Sequence, residues 1–228
     1  MSYLFDERLS ESPLVNLIWR TQSTHAIPFI SQAVATWEMV ITRQHGKVTL
    51  SILGPETKPF PADGLDDAEF FGIQFKVGSF MPHLSASSLV DSAIHLPAAS
   101  GSKVWVNGAA WEIPTFENAD TFLNRLTRQG IVTHDPVITA ALNNQPTHLS
   151  PRTLQRRFLS ITGLTHGMIV QIERARRALT LLEQGGSILD AVDLAGYADQ
   201  AHMTRAFRRY FGQTPAQLAH QPISALSR

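Results

Sequence analysis

The 228-residue chain contains no cysteine, which removes disulfide scaffolds, thiolate zinc sites and cysteine nucleophiles at once. No run approaches the roughly 18 apolar residues of a membrane span. The opening MSYLFDERLSESP is acidic and has no apolar signal core, so a soluble, cytoplasmic protein without membrane contact is expected. There is no Gly-x-Ser-x-Gly elbow, phosphate-cradling glycine loop or His-Glu-x-x-His helix, and with them go the commonest hydrolase, nucleotide-binding and metalloprotease signatures. The histidines of the first half, His25, His45, His83 and His95, are widely spaced and include no His-x-His pair. Neither a metal nor a cofactor is expected, and the chain does not read as an enzyme.

Lysine is also missing from Pro136 onward, where ten arginines face five acidic residues, a formal +5. Residues 1–135 carry nine basic against fourteen acidic residues, a formal −5. A net charge of zero therefore hides two halves with different electrostatic roles, and only the second suits a polyanion. With 43% hydrophobic and 17% charged residues, each half can bury a core. The fold class read from this is α+β, with a β-rich domain over 1–130 and an all-α domain over 136–228.

The most informative stretch is Ser187 to Pro215, SILDAVDLAGYADQAHMTRAFRRYFGQTP. Ile188, Ala191, Val192 and Ala195 recur at helical spacing behind the N-cap Ser187. Gly196 suits the positive φ that ends a helix. Asp199 caps a second helix, whose apolar face is Met203, Phe207, Tyr210 and Phe211, and Gly212 ends it. At 100° per residue the opposite side carries Ala201, His202, Arg205, Arg208 and Arg209, with Gln200 and Thr204 on its shoulders. Arginine can pair with guanine or hold a phosphate, glutamine can pair with adenine, and alanine leaves room for a thymine methyl. Spacing alone fits a base-reading helix and also a helical hairpin with a solvated basic face.

These residues resemble the second helix-turn-helix of AraC/XylS-family transcriptional regulators, in which Ile, Asp, Ala, Gly-Phe, Asp, Ser-His-Phe, Arg, Phe-Lys-Arg, Gly and Thr-Pro follow one another. Here Tyr197 stands for Phe, Ala201 for Ser, Met203 for Phe and Arg208 for Lys, with the spacing kept. Upstream, LSPRTLQRRFLSITGL (149–164) resembles the family's first recognition helix, and Arg174, Ala178, Leu181 and Leu182 match its linking helix. The resemblance spans about 136–220. It implies a sequence-specific regulator that binds double-stranded DNA and, by position, places Arg152, Gln155 and Arg156 in the groove. An activator would also meet RNA polymerase.

Within the first unit, Ser150 caps a helix whose Leu154, Phe158 and Ile161 face the core. Only a short helix, Val137 to Leu142, precedes it, and Pro146 would break any helix between them. The first helix-turn-helix is therefore read as truncated, one helix being short or absent, and the second is expected to carry most of the base specificity unless the N-terminal domain or the linking helix braces the first. The linking helix, Met168 to Glu183, is about sixteen residues or roughly 24 Å long, enough for both heads to enter successive major-groove segments.

Residues 14–113 read as short strands at 14–21, 37–42, 47–53, 69–77 and 103–106, with a helical turn in 86–94. Asn107-Gly108 marks a type I′ hairpin. Several short strands with turns between them fit a small barrel or sandwich. FFGIQFKVGSF (70–80) resembles the cupin-like sensor domains that precede AraC-type DNA-binding domains. All four tryptophans, Trp19, Trp37, Trp105 and Trp111, fall in this half; they suit first a barrel core, and second an aromatic pocket for a small apolar effector. A helix over 116–127 packs on this domain or serves a homodimer contact. Two other classes stay open: an interaction protein with a degenerate DNA-binding domain, and an enzyme with a DNA-targeting module. For the latter the AraC-fused DNA-repair alkyl transferases are the precedent, and they need a cysteine.

Overall fold

The computed structural model describes residues 5–100 and 102–219. The first half runs β1 (Asp6–Arg8), β2 (Val15–Ser23), β3 (Phe29–Ser31), β4 (Glu38–Gln44), β5 (Lys47–Leu53), β6 (Phe60–Ala62), β7 (Ala68–Phe75) and β8 (Ser79–Phe80). It continues through the single turn α1 (Ala86–Leu89), β9 (Ala93–His95), β10 (Lys103–Val106), β11 (Ala109–Glu112), α2 (Ala119–Arg128) and β12 (Thr133–His134). The second half is helical: α3 (Pro136–Leu142), α4 (Pro151–Thr162), α5 (His166–Glu183), α6 (Ile188–Ala195), α7 (Gln200–Phe211) and α8 (Pro215–Ala219). The frayed tail expected beyond α8 lies outside the described residues.

Six strands form one antiparallel sheet in the order β1-β2-β7-β4-β5-β9. Alternation gives it two faces. Ile18, Met39, Ile41, Leu50, Ile52, Ile73 and Phe75 point to one side and pack with Phe122, Leu123 and Leu126 of α2 and with Val104, Val106 and Trp111 of the β10–β11 hairpin. In β2 a bulge between Val15 and Leu17 shifts the register, so Val15 and Ile18 are both buried despite their odd spacing. Trp19, Glu38, Val40, Thr42, Ser51 and Phe70 point to the other side. There the β3–β6 ribbon carries Phe29 and Ser31 over them. Gly72 is required on this face because it lies opposite Trp19, whose indole Cε2 would be 2.1 Å from an added Cβ.

The Asn107-Gly108 turn has φ of 47° and 78°, as the type I′ reading requires. His45-Gly46 forms a second turn with both φ values positive, between the paired residues Gln44 and Lys47. Ile94, expected in a helical turn, instead pairs with Ile52 as part of β9. α2 begins at Ala119, three residues later than its apolar stripe suggests, because the Asn118 side chain accepts from Thr115 N (2.9 Å) and holds 115–118 as a turn. α5 starts at His166, two residues before the expected Met168, with Thr165 as cap and Gly167 inside its first turn.

Two buried clusters exist among the described residues, and the change between them falls between Val132 and Ile138. The intervening stretch is built in. β12 pairs with β8, and Asp135 N donates to Gly78 O (2.9 Å). The helical cluster also takes in Ala33 and Ala35 from the first half. None of the helices with described residues is long and apolar enough to cross a membrane.

Candidate nucleic-acid interface and a cavity in the first half

The α6–α7 unit is built by its caps. The Ser187 hydroxyl accepts from Asp190 N (3.1 Å) while the Asp190 carboxylate accepts from Ser187 N (3.2 Å), a reciprocal capping box that starts α6. Gly196, in the left-handed region, ends it, and Asp199 Oδ1 accepts from His202 N (2.6 Å) to start α7. Met203, Phe207, Tyr210 and Phe211 are buried and fix the rotation of α7. On its outer face Gln200, Ala201, Arg205 and Arg208 are exposed, and the two arginines form no hydrogen bond or ion pair among the described residues.

The other expected contact residues of α7 are partly engaged. His202 is half-buried, with its ring edge-on to Tyr197 at 5.1 Å. The Thr204 hydroxyl donates to Gln200 O (2.8 Å), a bond inside its own helix. The Arg209 guanidinium lies 5.4 Å from the Tyr210 ring centroid. The least committed groups are therefore Gln200, Arg205 and Arg208.

On α4, Ser150 caps as expected, Phe158 is fully buried, and Arg152, Gln155 and Arg156 share one exposed side at i, i+3 and i+4. α3 has only seven residues, and no further helix lies between it and α4. The support comes instead from the β-rich half. Arg157 Nε donates to Asp135 Oδ2 (2.6 Å), while Oδ1 of the same carboxylate accepts from Val137 N (2.9 Å) and caps α3. At the far end, Gly163 has φ +73°, and an added Cβ would lie 2.5 Å from Val90 Cγ2 and 2.7 Å from Ala86 O. The sequence allowed for such a brace without identifying its residues, which lie from 22 to 77 positions away.

α5, at eighteen residues about 27 Å long, joins the two units. Ile169, Ile172, Ala175, Leu179 and Leu182 are buried along it. Arg174 lies 5.8 Å from the Tyr197 ring centroid.

The four tryptophans do not share a pocket. Trp37 is buried flat against Phe75 (3.8 Å) and donates to Ser79 O, Trp111 packs edge-on to Phe122 in the core, and Trp105 is 46% exposed on the hairpin. Only Trp19 faces the partly open cavity of about 260 Å³ between the sheet and the β3–β6 ribbon. Its walls mix Trp19, Phe29 and Phe70 with Glu38, Glu56 and His95. Glu38 Oε1 accepts from the Gln74 amide (2.7 Å), Glu56 Oε2 accepts from the Ser31 hydroxyl (2.5 Å), and His95 Nδ1 shares a hydrogen bond with Ser51. Burial pushes the carboxyls of Glu38 and Glu56 above their ordinary range. No alternation pattern reveals this set, because it depends on strand register and on a segment crossing between the two halves.

That segment, residues 31–36, has two faces. Ser31, Gln32, Val34 and Thr36 line the cavity, whereas Ala33 and Ala35 sit in the helical core. Ala33 N donates to Tyr210 O of α7 (2.9 Å), and Ala33 O accepts from Arg176 of α5 (3.3 Å).

Both exposed helices, α4 and α7, lie within residues 145–221, which match the family model described as a helix-turn-helix domain. This part of the chain is similar to helix-turn-helix domains. It is 41% identical over 68 residues to the HTH-type transcriptional regulator RipA of Corynebacterium glutamicum, covering 30% of this chain and 20% of that protein. It is 41% identical over 70 residues to the HTH-type transcriptional regulator VirS of Mycobacterium tuberculosis, with the same coverage. The chain thus spans about a fifth of the length of these relatives. Among solved structures, ToxT from Vibrio cholerae aligns over 94% of this chain and 97% of its own, with 10% identity and a TM-score of 0.45.

Proposed function

We propose that this chain is a sequence-specific DNA-binding transcriptional regulator, with a helical domain over 136–228 that reads duplex DNA and a β-rich domain over 1–130 that holds a small-molecule effector. The carrying observation is that α4 and α7 each present an exposed Arg/Gln face, Arg152-Gln155-Arg156 and Gln200-Arg205-Arg208, within the residues that match the helix-turn-helix model. Arg205 and Gln200, near the start of α7, are assigned to base edges, with Ala201 and the partly engaged His202 and Thr204 beside them. Arg208 and Arg209, nearer its end, are assigned to phosphates. The domain's formal +5 supplies the non-specific attraction. No catalytic step is assigned to the chain.

Regulation runs through residues 31–36, whose cavity face and helical-core face belong to one short stretch of backbone. The effector changes how α5 and α7 are held. Titrating the purified chain with a duplex across a salt series tests the reading. The log–log slope should be steep, near −0.9 for each phosphate neutralised. A flat slope, or no binding at low salt, favours an interaction protein with a degenerate DNA-binding domain.

A further inference from the structure

The cavity's polar groups do not match the apolar effector that tryptophans alone would suggest. Glu38 is nine-tenths buried and has the Gln74 amide and the Trp19 indole as donors. Glu56 is bonded through one oxygen to Ser31, leaving its other oxygen without a side-chain donor. Gln32 and Thr36, each more than nine-tenths buried on the cavity wall, have side-chain oxygens (Oε1 and Oγ1) with no hydrogen-bond partner. Buried acceptors without donors cost free energy, so such groups mark where a donor belongs. The remaining walls are Trp19, Phe29 and Phe70, and aromatic faces attract cations.

We propose that this cavity binds a small organic ammonium ion, with its N–H groups donated to Glu56, Glu38 and Gln32 and its apolar body against Trp19 and Phe70. The inference rests on the regulator reading only for its consequence and not for the binding itself. The site is rich in acceptors and carries two carboxyl groups, while its one nearby guanidinium, Arg176, comes from outside the lining. An anion placed there would face both carboxylates. A neutral alcohol could satisfy Gln32 or Thr36 but would bring no countercharge to Glu56, whose second oxygen has no side-chain donor. Its volume of about 260 Å³ sits just below the usual range for ligand pockets, about 300–1,000 Å³, and suits a compact monoamine.

The test uses the full chain without DNA, so its outcome is independent of whether the helical domain binds duplex. Melting and Trp fluorescence are followed with 2-phenylethylamine and cyclohexylmethylamine, and with 2-phenylethanol and 3-phenylpropionate as neutral and anionic counterparts. The amines should raise the melting temperature and perturb Trp19 emission, and the counterparts should do neither. Glu56→Gln should weaken amine binding at least tenfold, as should Glu38→Gln, while Arg205→Ala leaves it unchanged. Far-UV circular dichroism establishes that each variant is folded, and either Gln variant suffices if the other fails to fold. The proposal is overturned if no amine binds, if the alcohol or carboxylate binds as well as the amines, or if amine affinity is indifferent to the Gln substitutions.

Discussion

Asp135 is the residue on which the first reading head depends, and Asp135→Ala puts a number on that dependence. Its carboxylate is 4% exposed and makes two bonds, accepting from Val137 N at 2.9 Å and from Arg157 Nε at 2.6 Å. Losing an N-cap costs about 1 kcal/mol, and losing a hydrogen bond to a charged partner costs about 1.5–3 kcal/mol. The sum, about 2.5–4 kcal/mol, should lower the melting temperature by about 5–15 °C in a chain of this size. Arg157→Ala leaves the cap intact but strands a buried carboxylate; water reaches the partly exposed guanidinium position, so the loss should be smaller, about 1–2 kcal/mol. A double-mutant cycle between the two should return a coupling of about 1–3 kcal/mol. The functional consequence is directional, because the brace holds α4 and leaves the α6–α7 unit untouched. Footprinting of Asp135→Ala should show protection weakened on the half-site under α4 and retained under α7. A melting change below about 2 °C, or a cycle with no coupling, refutes the brace; equal loss on both half-sites refutes the idea that it serves one head.

Three further outcomes are expected. Replacing Gln200, His202 and Arg205 together by Ala should flatten sequence preference over one half-site in a library of single-base changes. The matching Arg152, Gln155 and Arg156 variant should weaken binding nearly uniformly if α4 only holds phosphates, and should flatten preference over the other half-site if its bracing lets it read bases. Glu38→Gln should be stabilising at pH 8 and neutral near pH 4.5. Because burial raises the carboxyl's folded value, its contribution to stability is intact below the ordinary carboxylate range and is lost as pH rises through the raised one; a stability difference constant from pH 4.5 to 8 contradicts this. Gly163→Ala should melt several degrees lower, since its positive φ and its close approach to Ala86 and Val90 both disfavour a side chain.

The helical half was legible because its signals are local. Caps at Ser150, Ser187 and Asp199, the stop glycines Gly163, Gly196 and Gly212, and the 3.6-residue stripes each act within a few positions. Hairpins with two-residue turns were legible for the same reason. The site in the β-rich half was not. Glu38, Glu56, Gln32 and His95 meet only after β4 and β5 have paired and residues 31–36 have crossed to the helical side, so neither their spacing nor their composition marks them. Residue type alone did not separate the tryptophans: two pack in the core as first expected, one lines the cavity, and one lies on an exposed hairpin. The brace on α4 was hidden likewise, since the sequence displays the missing helix but not the carboxylate of Asp135 that does part of its work.

The central claim is that α7 reads bases in duplex DNA, and selection of bound fragments from a random DNA pool by the full chain and by Arg205→Ala, side by side, tests it most directly. Wild type should enrich a motif with two segments about one helical turn apart. The variant should lose preference at one position within a segment, at a cost of about 1–3 kcal/mol against the best sequence. An unchanged motif in the variant, with all sequences weakened alike, would make Arg205 a phosphate anchor; no enriched motif from wild type at low salt would contradict the account as a whole.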